Sequence, residues 1–129
     1  MVSVLIADDD LFYRSMLSKW VMAMGHEVVW AHSGMEALEL CDTREFDLMI
    51  LDVFMEKMTG LEVLTKMTKA AEINATKRIP VVVITSDESV HTEMAARKEK
   101  ATFYLLKPFS MEFLVSVVEE AVKTAALQP

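Results

Sequence analysis

Asp8-Asp9-Asp10, Asp52, the pair Thr85-Ser86 and the pair Lys107-Pro108 are the residues of this chain whose types can do chemistry together. Each stands at the end of a short apolar run or just beyond it. Unit charges about 4 Å apart repel by roughly 4 kcal/mol at an effective dielectric near 20, so carboxylates gathered from two such runs need a neutralising partner. Mg2+ suits that role, being hard, octahedral and commonly held by one or two carboxylates together with phosphate oxygens. Asp8, Asp9 and Asp52 are the expected ligands. Beside that metal the Asp52 carboxylate can attack phosphorus and form an aspartyl phosphate. Such a transfer depends mostly on positioning and charge neutralisation. Lys107 offers a mobile point charge for a carboxylate or phosphoryl group, and the Thr85 hydroxyl offers a hydrogen bond to the attached group.

The elements that must position these groups are legible as alternating patterns. Val2–Ala7, Val28–Ala31, Leu48–Leu51, Val81–Thr85 and Thr102–Leu106 are apolar and β-branched, as expected of strands covered on both faces. Between them, Tyr13, Met16, Leu17, Trp20, Val21 and Met24 follow the spacing of one helical face, and Gly25 supplies a C-cap. Ser33 begins a second helix through Cys41, Thr59 a third through about Glu72, Ser86 or Asp87 a fourth, and Ser110 a fifth through about Ala125. The order βαβαβαβαβα implies a parallel sheet with right-handed crossovers and helices on both faces. In open sheets of this class the functional crevice lies beyond the carboxyl ends of the strands. The first, third, fourth and fifth strands therefore deliver their polar residues to one rim.

Composition narrows the function. The 129 residues suit one domain spanning 1–129, and 13 Lys+Arg against 20 Asp+Glu leave a net charge of −7. That charge disfavours direct binding to nucleic acid or to anionic membrane. No apolar run approaches the roughly 20 residues of a bilayer span, and the chain enters its first strand without a leader pattern, so a cytoplasmic location is expected. Cys41 is the only cysteine, which excludes an internal disulfide or a cysteine zinc site and predicts a core filler. The three glycines, at 25, 34 and 60, build no phosphate-cradling loop. His26, His32 and His91 lack metal-binding spacing and read as surface residues, with His91 on the fourth helix. Most of the eleven methionines, and the stripe Phe109, Phe113, Val117 and Ala121, read as core.

Four segments, ADDD after the first strand, DLMILDVFMEKMTG around the third, VVVITS in the fourth and FYLLKPF at the fifth, resemble the receiver domain of two-component response regulators. The likeness covers essentially the whole chain and is of a chemotaxis-regulator-like kind. It implies a flavodoxin-like, doubly wound (βα)5 fold with five parallel strands in the order 2-1-3-4-5. It also implies that Asp52 is the phosphoacceptor, that Asp8, Asp9, Asp52 and the Phe54 backbone carbonyl hold Mg2+, that Thr85 and Lys107 contact the phosphoryl group, and that Tyr104 is a switch aromatic. The implied donor is a phosphohistidine on a sensor histidine kinase or a histidine phosphotransfer protein. The resemblance further implies a domain that catalyses its own phosphotransfer and dephosphorylation without being a turnover enzyme. Its output would be a remodelled surface on the fourth helix, fifth strand and fifth helix, read by an effector protein or by an output domain outside this chain, and it allows for a phosphorylation-dependent homodimer. No helix-turn-helix or cyclase pattern follows the fifth helix, which favours a diffusible regulator over the N-terminal part of a longer one.

The chain departs from the family pattern in places. Glu56 replaces the proline usual four residues after the phosphoacceptor, removing a stiffening element and adding a negative charge. Phe54 is bulky and apolar, so it is expected to screen an acyl phosphate from water and lengthen its life, whereas Asp87 could orient water and shorten it. Lys100-Ala101 replaces a usual Gly-Ala turn, and the polar segment from Ala70 to Arg78 is long; both read as surface variation. Two rival functions follow. A Mg2+-dependent phosphohydrolase with an aspartate nucleophile needs a second acid two residues on, and Phe54 cannot protonate a leaving group. A degenerate receiver that only docks partners is opposed by the complete acidic set and Lys107.

Overall fold

The computed structural model describes residues 1–127. Apolar runs become strands because period-two alternation lets each one feed two layers at once. Val4, Ile6, Leu48, Ile50, Val82 and Ile84 pack with Leu17, Val21, Leu114 and Val118 in one cluster. Their neighbours Leu5, Ala7, Met49, Leu51, Val81 and Val83 pack with Ala37, Val63, Leu64 and Ala96 in the other. Fully burying a side chain of this size stabilises the fold by roughly 1.5–3 kcal/mol relative to exposure, so the central strands are fixed from both sides.

The element order is β1 (Ser3–Ala7), α1 (Leu11–Ala23), β2 (Glu27–Ala31), α2 (Gly34–Thr43), β3 (Leu48–Asp52), α3 (Gly60–Ile73), β4 (Val81–Thr85), α4 (Val90–Lys98), β5 (Phe103–Leu106) and α5 (Met111–Leu127). All strand pairs are parallel, in the order β2-β1-β3-β4-β5, the flavodoxin-like arrangement expected. α1 and α5 cover one face, and α2, α3 and α4 the other.

Caps agree with the sequence at Ser33 and Thr59, whose side chains accept from the Glu36 and Glu62 amides, and Asp10 caps α1 by accepting from the Phe12 amide. Gly25, at φ +90°, ends α1 as expected. The fourth helix is corrected: its cap is Ser89, not Ser86 or Asp87. The Asp87 carboxylate instead accepts from the Ser89 amide and hydroxyl and from the Thr92 hydroxyl, which spends those residues on a turn before the helix.

Two other expectations are corrected, and a third in part. Only Met49 and Met55 of the eleven methionines are buried, and Met1, Met22, Met35, Met94 and Met111 are exposed. Phe113 is exposed, and the inward row of α5 is Leu114, Val117, Val118 and Ala121. Most of the segment 70–78 is exposed, as expected, but Arg78 is half-buried and its guanidinium donates to Thr68 Oγ1 and to the carbonyls of Ile79, Glu99 and Lys100, tying α3, β4 and the end of α4 together. Cys41 is half-buried against the α2–α3 core, and desolvation with Asp42 beside it raises its thiol pKa. His32 and His91 are exposed, while His26 is half-buried and accepts from the Val2 amide. Among the described residues no helix is long and apolar enough to cross a membrane.

Candidate functional site

Parallel pairing sets the carboxyl ends of β1 and β3 side by side, with Ala7 opposite Leu51, so the residues that follow them meet. Asp8 is completely buried, its amide donating to the Ala31 carbonyl and its Oδ1 accepting from the Asp10 amide. Asp9 is exposed beside it, and Asp52 is buried. One carboxylate oxygen from each of Asp8, Asp9 and Asp52 lies within 4.8 Å of the others. Two of three such groups out of water make a donor set that suits a hard divalent cation.

Burial is the largest influence on Asp52, followed by the neighbouring Asp8 charge; Lys107 opposes both, and the pKa stands at about 7. Lys107 arrives from the end of β5, whose position is fixed where its amide donates to the Thr85 carbonyl at 2.8 Å. Its Nζ lies 3.0 Å from Asp8 Oδ2 and 3.7 Å from Asp52 Oδ1. The peptide bond between Lys107 and Pro108 is cis. Thr85 is completely buried at the end of β4, and its Oγ1 accepts from the Asp87 amide at 3.1 Å. Tyr104 is half-buried, and its hydroxyl donates to the Asp87 carbonyl at 3.4 Å. Phe54 is 52% exposed in the loop after β3.

The sequence-derived residues Asp8, Asp9, Asp52 and Lys107 are thus brought to one pocket, and Thr85 and Tyr104 are joined through Asp87. Three residues that support them went unassigned. Arg14 is buried, donates from Nη1 to the Asp8 carbonyl at 3.0 Å, and lies 4.4 Å over the Trp30 ring. Its place three and seven residues before Leu17 and Val21, on the buried side of α1, is the signal that could have found it. Gly60 begins α3 where an added Cβ would overlap the Asp52 carbonyl oxygen, so only glycine lets the helix approach β3 this closely. Tyr13 faces the Lys107 ammonium, although its spacing read only as core.

A family model described as the response regulator receiver domain matches residues 4–119. The transcriptional regulatory protein ZraR of Escherichia coli O157:H7 is 36% identical over 121 residues, covering 93% of this chain and 26% of ZraR. The chain therefore spans about a quarter of that relative's length. Chemotaxis response regulator CheY4 of Vibrio cholerae superposes with a TM-score of 0.83 at 31% identity, covering 94% of this chain and 98% of that one. Response regulator TrrA of Thermotoga maritima, solved in complex with Mg2+-BeF, gives 0.81 at 26% identity over 94% of this chain and 99% of its own. With the same five-stranded order, the acidic strand ends and a family match across most of its length, this chain belongs to the response regulator receiver domains.

Proposed function

We propose that this receiver accepts a phosphoryl group on Asp52 from a phosphohistidine of a sensor histidine kinase or phosphotransfer protein, in a Mg2+-dependent reaction, and signals through its α4–β5–α5 face. The observation that carries this reading is the convergence of three carboxylates and one ammonium on a single pocket at the strand ends. A carboxylate oxygen of Asp52 bonds to phosphorus as the imidazole N–P bond breaks. The leaving nitrogen keeps the bonding pair and takes a proton from solvent. Asp8, Asp9, Asp52 and the Phe54 backbone carbonyl would hold Mg2+, which supplies charge neutralisation at the transferring oxygens when bound. The Mg2+-BeF complex of TrrA supports the same requirement here. Lys107 favours the ionised nucleophile and is in reach of the attached group.

The relay to the surface is short. Thr85 Oγ1 is engaged by the Asp87 amide, and the Asp87 carbonyl by Tyr104. Turning Thr85 toward a phosphoryl group releases that amide, loosens the turn that holds Tyr104 and shifts a pre-existing equilibrium of the α4–β5–α5 face. Tyr104 lines a groove there with Glu93, Arg97, Leu106 and Phe113, where an effector protein or an output domain outside this chain would bind. This reading places the protein in the cytoplasm.

Acetyl phosphate with Mg2+, followed by intact mass, tests it. Wild type should gain one phosphoryl group and Asp52→Asn none. Rapid turnover of aryl phosphates without an adduct would favour the phosphohydrolase instead, and neither adduct nor turnover would favour a docking module.

A further inference from the structure

Lys107 has three neighbours at its head group, and the acidic pocket accounts for two. Nζ lies near Asp8 Oδ2 and Asp52 Oδ1, and it also lies 4.0 Å from the centroid of the Tyr13 ring. The Lys107 side chain is only 11% exposed, so the ring occupies a side of the ammonium that water would otherwise solvate. Tyr13 is itself fixed by aromatic contacts. Its centroid is 5.9 Å from that of Phe12 and 6.2 Å from that of Phe109, which in turn meets Trp20 at 6.5 Å. Phe109 stands two residues after Lys107, so one cluster on α1 restrains both the chain leaving β5 and the charged end of its lysine.

We propose that Tyr13 is a positioning residue for Lys107, its ring face keeping the ammonium at the acidic pocket without occupying a carboxylate oxygen. The proposal rests on the reading of Asp52 as phosphoacceptor and Lys107 as a contact to the phosphoryl group. A lysine is a point charge on a flexible stem, and fixing that stem costs rotamer freedom. An ammonium anchored by Asp8 alone would compete with a divalent cation for the same oxygens. The ring attracts through its quadrupole, which the cation at the carboxylates does not use. Lys107 therefore stays in reach of Asp52 when its carboxylate partners turn to the metal.

Two readouts test this on the whole chain. The first is the ring-current displacement of the Lys107 Cε protons, recorded by NMR on wild type with and without Mg2+. The second is the rate of adduct formation at saturating acetyl phosphate, for wild type, Tyr13→Phe, Tyr13→Leu and Lys107→Ala. The Lys107 protons should lie upfield in both metal states. Tyr13→Leu should lose that displacement and slow the saturating rate roughly threefold to thirtyfold, the range for a cation over an aromatic face. Tyr13→Phe, which keeps the ring, should retain both properties.

Ordinary Lys107 proton shifts in wild type would overturn the proposal, as would a Tyr13→Leu protein phosphorylated at the wild-type rate or a Tyr13→Phe protein as slow as Tyr13→Leu. Should Tyr13→Leu fail to fold, Tyr13→Met takes its place and the wild-type shift still decides whether the contact exists. A wild type that forms no adduct would overturn the phosphoacceptor reading and this proposal with it, a result distinct from failure of the Tyr13 variants alone.

Discussion

Phe54 follows Asp52, the proposed phosphoacceptor, by two residues, and its side chain is half exposed in the loop after β3. An apolar ring in that place offers no group that could orient an attacking water. Replacing it with an amide should speed loss of the phosphoryl group from Asp52 by about threefold to tenfold, a barrier change of up to roughly 1.4 kcal/mol. Time courses of intact mass after removal of acetyl phosphate measure this directly, and an unchanged half-life for Phe54→Asn would remove Phe54 as the shield. Asp87 has a different occupation from water orientation. Hydrogen bonds from Thr92 and Ser89 hold its carboxyl below the usual carboxylate range, so its oxygens are committed to the turn before α4. The aspartates and Lys107 were legible in the sequence because strand ends can be read from apolar runs. Tyr13 and Arg14 were not, because helical spacing tells which residues face inward and not which of them a cation or a carbonyl will meet.

At the level of elements, the start of α3 has no room for a larger residue and the turn before β5 holds a strained one. Gly60→Ala would push the first turn of α3 off the Asp52 carbonyl, and overpacking of this kind costs about 1–3 kcal/mol. A lowered urea midpoint together with slower phosphorylation is the expected result. Lys100 is exposed, in keeping with surface variation, but it occupies the left-handed region at φ +64°, so the Lys100-Ala101 turn is strained. Lys100→Gly should raise stability by about 1 kcal/mol, read as a higher urea midpoint at constant slope. The helix errors of the sequence reading have a geometric origin. A stripe taken every fourth residue drifts about 40° around a helix at each step. Starting from Phe109, which precedes α5, it reaches Phe113 on the solvent side and meets the true inward row only at Val117 and Ala121. Ser86, Asp87 and Ser89 are all competent caps by type, and only the local hydrogen bonds of Thr85 and Asp87 in the turn select among them.

For the whole molecule, the acidic pocket contributes to how stability follows pH. Asp52 binds its proton more tightly in the folded protein, at about 7, than in the unfolded chain, where 3.8 is the reference. Between those values the native state holds more protons, so this contribution is full below the unfolded pKa and is lost as pH rises through about 7. Metal-free protein should therefore lose on the order of 2 kcal/mol from about pH 5 to about pH 8. Asp52→Asn should flatten that slope, and Mg2+ should restore stability at the alkaline end by binding only the folded state. Thermal melts across pH, with and without the metal, check all three. Far from the pocket, Arg78 grips the last carbonyls beyond α4, whereas the opposite end of that helix hangs on the turn built by Asp87, Ser89 and Thr92. In the relay proposed above, a helix held at its tail by Arg78 and latched at its head by that turn would act as a lever, so that a release at Thr85 would swing the front of α4 outward about the end that the guanidinium pins.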